Sequence, residues 1–169
     1  IEDLHAVVSF LQQHGADYGI STKKIFLMGQ SAGAAHVAAY VAHPEIYANA
    51  SHGLSGIILL SGLYNFASMP TGPLEEAYLG KDGSLYAERS SLAGLVKSEL
   101  PMLITLAEND PPFLEQQGLE LLTALQKARK QLPIFVHLIG QNHLSTVLYL
   151  GLESDLLAPQ LLSFIKDNS

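Results

Sequence analysis

A chain of 169 residues with 48% hydrophobic and 15% charged residues can bury one real core, which excludes a disordered or fibrous chain. Its net charge of −7 excludes a basic nucleic-acid surface, and the one basic cluster, Lys127, Arg129 and Lys130, falls where a predicted helix ends and suits the helix dipole. The lack of cysteine removes disulfide and thiolate chemistry, and no apolar run approaches the roughly 18 residues of a membrane span.

The opening stretch has no basic segment followed by an apolar core, so it does not read as a signal peptide, and the location leans cytoplasmic. Leu4, Val7, Val8 and Leu11 recur at helical spacing, and Gly15 follows as a stop. Lys24 to Met28 is an apolar run of strand length. Ala32 to Ala42 is an Ala-rich helix closed by His43-Pro44. Gly56 to Ser61 and Pro101 to Ala107 are two more buried strands, with a long helix over Phe113 to Lys130 after the second. A fourth strand spans Pro133 to Ile139, then a short helix near Thr146 to Leu150 and a closing amphipathic helix over Asp155 to Asp167.

Apolar strands alternating with helices predict an α/β fold, a parallel sheet covered on both faces, in a single domain over residues 1–169. Residues 63–99 break the alternation. They carry Gly, Pro, Ser and Tyr, with one short helix expected near Leu74 to Leu79. An excursion of that length between strands is more often functional than idle. Its apolar residues Tyr64, Phe66, Met69, Leu74 and Tyr78 fit equally a cap over a site and a segment that packs itself down.

Gly29-Gln30-Ser31-Ala32-Gly33 stands where the first strand turns into the Ala-rich helix. A turn that tight forces the serine into a strained backbone conformation, and glycines at the flanks are expected because a side chain there would collide with the neighbouring strand or helix. The serine hydroxyl is then presented at the carboxyl end of the strand, and the N–H of Ala32 is placed to donate to an oxyanion. The alternative is a serine N-cap in an ordinary strand-to-helix turn.

A serine hydroxyl needs a base to take its proton, and the base needs an orienting acid. In an open parallel-sheet hydrolase both follow in chain order, in loops just after strands. Asp110 follows the third strand within "ENDPP", and His143 follows the fourth within "GQNHLS". Glu108 competes for the acid, but "DPP" fixes a turn directly after Asp110. Of the other histidines, His5, His14, His36 and His43 lie on or beside helices, His52 precedes a strand, and His137 is inside one. The predicted triad is Ser31, Asp110 and His143, and its chemistry needs no metal or cofactor.

With "GQSAGA", "AENDPPF", "GQNHLS" and the "GLYNF" after "GIILLS", the chain resembles the α/β-hydrolase fold over essentially its whole length, in particular the carboxylesterase and lipase group that includes arylformamidase-like enzymes. Asn65 stands where similar enzymes commonly carry Asp. The resemblance implies Ser31 as nucleophile, His143 as general acid–base, Asp110 as orienting acid and Ala32 as one oxyanion donor, acting on a small-molecule ester. It leaves open an aryl formamide substrate and a non-catalytic binding domain or inactive fragment. The family's glycine-rich oxyanion loop and several strands would precede Ile1. The chain therefore reads as the carboxyl-terminal part of a longer hydrolase, with a preceding segment or a second chain expected to complete it and an unpaired edge strand expected in isolation.

Overall fold

The computed structural model describes residues 1–47, 53–70 and 72–169, with the Leu74 side chain and His52 outside the described residues. Four strands form one fully parallel sheet in chain order: β1 (Phe26–Gln30), β2 (Gly56–Leu60), β3 (Met102–Asn109) and β4 (Ile134–Asn142). Parallel neighbours require helical crossovers. The helices are α1 (Glu2–His14), α2 (Ala32–Ala42), α3 (Pro73–Leu79), α4 (Tyr86–Arg89), α5 (Leu92–Lys97), α6 (Pro112–Arg129), α7 (Ser145–Leu148) and α8 (Ala158–Asp167).

The period-two alternation of a strand sorts the core into two layers. Ile57 and Leu59 of β2 and Met102 and Ile104 of β3 pack with Val37 and Val41 of α2, Leu95 of α5 and Leu121 and Leu125 of α6. The intervening residues Ile58, Leu60 and Leu103 face the other way, onto Leu161 and Phe164 of α8 and Leu138 of β4. Each such fully buried side chain contributes about 1.5–3 kcal/mol.

The expectation of a sheet covered on both faces holds for β2, which is buried along its whole length, and for the first six residues of β3. It fails for the two outer strands. Only Leu138 and Gln141 of β4 are buried, because β4 is an edge strand, and Ile134 and Ile139 remain exposed. β1 forms the other edge, and its Met28, beside Ile58 on the α8 face, is 48% exposed. Among the described residues no helix is long and apolar enough to cross a membrane.

Several boundaries move. β1 begins two residues late and runs to Gln30, while β3 and β4 extend to Asn109 and Asn142 across a register shift between Ala107 and Asn109. α7 is four residues from Ser145, and α8 begins only at Ala158. Among the described residues, 63–99 hold three α-helices, not one, and are stitched to the core by side chains. The buried Gln117 of α6 accepts from the N–H groups of Tyr64 (2.8 Å) and Asn65 (2.7 Å) and donates to the Asn65 carbonyl (2.9 Å). The Ser90 hydroxyl accepts from the Phe66 N–H and donates to the Tyr86 carbonyl.

Candidate functional site

The residues singled out by the sequence gather at one end of the sheet. Ser31 directly follows β1, Asp110 directly follows β3 and His143 directly follows β4. In a parallel sheet these are all carboxyl ends, the usual place for a site in an open α/β fold.

Ser31 has φ 58° and ψ −122°, far from any relaxed conformation of a non-glycine residue. Holding it there costs on the order of 1–3 kcal/mol, which the surrounding structure must offset. Two backbone bonds do so: the Ser31 N–H donates to Leu60 of β2 at 2.9 Å, and its carbonyl accepts from Ala35 at 3.1 Å, opening α2. The hydroxyl makes no capping bond to the helix, so the plain N-cap alternative does not describe it. Ala32 is the first residue of α2, and its N–H therefore has no partner within the helix.

The two flanking glycines differ. A Cβ on Gly29 would lie 2.6 Å from the Ala34 nitrogen and closer still to the Gly33 carbonyl, backbone atoms that cannot give way. At Gly33 a Cβ would meet nothing within 4 Å among the described residues. The expectation that both glycines avoid a collision is thus met at Gly29 only. Gly33 points outward from α2, where there is open space.

Asp110 and His143 are brought together. His143 Nδ1 lies 2.8 Å from Asp110 Oδ1, with the carboxylate 1% exposed and the imidazole 21% exposed. The second carboxylate oxygen, Oδ2, accepts from the Ser61 hydroxyl at 2.5 Å and from the Ala107 N–H at 2.7 Å. The Asp110 N–H closes the same turn onto the Ala107 carbonyl, just before Pro111 and Pro112 open α6. Glu108 is engaged elsewhere, accepting from the Gly140 N–H at 2.6 Å.

His143 sits in a loop built by its neighbours. The Asn142 side chain accepts from the N–H groups of Leu144 and Ser145, and the Ser145 hydroxyl bonds back to the Asn142 backbone. The Gln30 amide donates to the His143 carbonyl at 2.6 Å, tying the turn at Ser31 to the histidine loop. The other described histidines have other partners or none. His5 stacks on Tyr47, His14 pairs with Asp17, His36 meets Tyr78, His43 pairs with Glu45, and His137 is exposed on β4.

Two residues of this cluster escaped the sequence reading. Ser61 ends β2 as Ser31 ends β1, also with positive φ (45°), and is 1% exposed. Its trace in the sequence is a serine directly after an apolar strand and before a glycine. Gln30 was legible only as the unassigned position of the glycine–serine motif. Nearby, Tyr64 is fully buried. Burial foremost, and to a smaller degree the Asp110 charge, push its phenol above the usual range against a lowering by the Gly62 N–H.

An apolar cavity of about 220 Å³ opens beside this site, between α2 and the segment after β2.

The model of the prolyl oligopeptidase family matches residues 1–166. No curated relative matches the chain. Among solved structures, a hyperthermophilic esterase from the archaeon Pyrobaculum calidifontis superposes with a TM-score of 0.67 at 22% identity, over 98% of this chain and 58% of its own. Propionate-bound esterase 2 of Thermogutta terrifontis gives 0.70 at 21% identity, over 98% and 62%. Carboxylesterase Cest-2923 of Lactobacillus plantarum WCFS1 gives 0.74 at 17%, over 97% and 66%. At these identities the likeness shows the α/β-hydrolase fold, and the chain spans about three fifths of the two esterases named first.

Proposed function

From the premise that this chain belongs to the prolyl oligopeptidase family, we propose that it is the triad-bearing part of a serine hydrolase that cleaves carboxylic esters, with Ser31 as nucleophile, His143 as base and Asp110 as orienting acid. The observation that carries the reading is the 2.8 Å contact between His143 and a buried Asp110 at the same sheet end as a serine held at φ 58°.

With Nδ1 committed to Asp110, the other ring nitrogen of His143 is the one free to act. It takes the Ser31 proton as the hydroxyl oxygen attacks the ester carbonyl carbon. The negative charge that develops on the carbonyl oxygen is met by the Ala32 N–H, one donor of the oxyanion site. Collapse of the tetrahedral intermediate breaks the bond to the alcohol oxygen, which leaves with the proton from His143. Water then attacks the acyl-enzyme, His143 takes its proton, and the acid departs with Ser31 restored. Asp110 orients the imidazole through Oδ1 throughout, its second oxygen held by Ser61 and Ala107.

The solved esterases, one with propionate bound, favour ester over amide. The family's name favours a peptide bond as the second reading, through the same steps. Residues 63–99 are proposed as a cap, since Leu63, Phe66, Met69, Tyr78 and Leu79 line the cavity beside Ala32.

A fluorophosphonate probe followed by intact mass tests the nucleophile. One adduct is expected on the chain and none on Ser31→Ala. An adduct that persists in the variant would remove Ser31 from the mechanism. Parallel assays with p-nitrophenyl esters and with peptide p-nitroanilides decide between the two bonds.

A further inference from the structure

The serine and its base start from opposite edges of the sheet. Ser31 follows β1 and His143 follows β4, with β2 and β3 between them. Neighbouring strands lie about 4.8 Å apart, so the two strand ends are separated by roughly 14 Å. The loop after β4 must therefore fold back across the ends of β3 and β2 before its histidine can serve a serine on β1. Two contacts from β3 and its end hold the near side of that loop. Asn109 donates to the Gln141 carbonyl at 3.2 Å, and Asp110 meets the His143 ring at 2.8 Å. The contact from β1 is the bond from the Gln30 amide to the His143 carbonyl, at 2.6 Å.

We propose that Gln30 is a positioning residue of the proposed hydrolase: it holds the main chain of His143, and through it the free ring nitrogen, at working distance from Ser31. The assignment rests on the serine-hydrolase reading and adds a residue to it. Asp110 alone leaves the imidazole hinged on one contact, free to swing toward or away from β1. A second hold on the main chain of the same residue removes that freedom. Gln30 is joined covalently to Ser31, so the nucleophile and the base are set against each other through a single side chain.

The pleat explains why this position does the work. Gln30 pairs with Leu60, whose side chain lies on the α8 face, and the chain after β4 returns over that same face through Val147, Leu150 and Leu157. Gly29 points the other way, into the start of α2. The chemistry explains why the residue is glutamine. The partner is a carbonyl, which only accepts, so a donor is required. Glutamate would set one acceptor against another, and asparagine would stop short by one bond, about 1.5 Å. The Asn142 side chain meanwhile braces the loop from within by accepting from the Leu144 and Ser145 N–H groups, so a pull on the His143 carbonyl moves the loop as one piece.

The test compares the full chain with Gln30→Met, which keeps the length of the side chain and loses the donor. Ser55→Ala is the control, since it deletes another side-chain bond to a main-chain carbonyl, Ser55 to Lys23 at 3.2 Å, at the amino end of the sheet. Gln30→Met should slow fluorophosphonate labelling of Ser31 and lower kcat on p-nitrophenyl acetate by about 10- to 100-fold, with KM within about twofold and unfolding still cooperative. Ser55→Ala should match the parent. Placed in His143→Ala, the same Gln30→Met change should slow the residual labelling by no more than about twofold, because no base is left to aim. Independently of activity, hydrogen exchange at the Leu144 and Ser145 amides should speed up at least about tenfold in Gln30→Met, while Ile58 and Leu59 in β2 keep their protection. Equal losses with and without His143, or a loss confined to KM, would overturn the positioning role. So would unchanged exchange in the loop, or labelling of the parent and Gln30→Met at one rate, and both would leave the hydrolase standing. Faster exchange in the variant with no labelling or ester hydrolysis by the parent would overturn the hydrolase reading and with it the catalytic use of the bond.

Discussion

Two neighbouring strands of this sheet end in the same way and do opposite things with it. β1 ends in Ser31 at φ 58°, and β2 ends in Ser61 at φ 45°. Both N–H groups bond across to the next strand, Ser31 to Leu60 and Ser61 to Thr105. Yet Ser31 is only half buried and its hydroxyl caps nothing, whereas Ser61 is 1% exposed and its hydroxyl is 2.5 Å from Asp110. The backbone device is shared: a left-handed residue ends the strand sharply and throws its side chain out of the pleat. At the edge, next to the start of α2, the side chain is left available. In the interior, next to β3, it is spent on holding a carboxylate. Strain at a strand end is thus not itself the mark of a nucleophile, and what the hydroxyl touches separates the two.

The comparison breaks most visibly in activity. If Ser31 is the nucleophile as proposed, Ser31→Ala should remove ester hydrolysis by a factor on the order of 10⁵–10⁶, and the stability of the chain should hardly change. The next effect is on stability. Gly29→Ala places a methyl group inside the backbone of α2, an overpacking that costs about 3 kcal/mol and should lower Tm by about 6–12 °C, read by thermal unfolding. Ser61→Ala should rank below both. It leaves Asp110 Oδ2 one donor short, and a fall of about 10- to 100-fold is expected in kcat with KM nearly unchanged, since Ser61 touches the acid and not the substrate. A loss confined to KM would mean that Ser61 supports the binding surface instead. The smallest effect sharpens the contrast between the motif's own glycines. Gly33→Ala meets open space on the second residue of α2 and should be neutral or stabilising by up to about 1 kcal/mol. If it destabilises as much as Gly29→Ala, the open space beside Gly33 is filled in solution.

Local signals carried the frame. α2 runs from Ala32 to Ala42 as read, because an alanine run between a sharp turn and a proline leaves one outcome, and the apolar runs of β2 and β3 are the buried interior of the sheet. Asp110 and His143 were legible for a related reason, since each lies at the first polar turn after such a run. What failed to show was set by distant partners. The polar tail Gly140-Gln141-Asn142 reads as loop, yet it belongs to β4, with Asn142 paired to Asn109, since an edge strand need not be apolar. α4 and α5 have little pattern of their own, and Ser90 and Gln117 hold their surroundings in place through bonds from remote points of the chain. Ser61 looked like the plain end of a strand because the carboxylate it serves lies 49 residues on.

The bond between the Gln30 side chain and the His143 carbonyl joins residues 113 positions apart. Contacts of such separation are the slow ones to form, because the chain entropy of the whole intervening length must be overcome first. If Ser31 and His143 act as proposed, the serine is synthesised before its base and gains it only when β4 docks. On this reading the chain carries its own safety catch: partly folded forms have a serine but no base, and reactivity arrives only with the last strand.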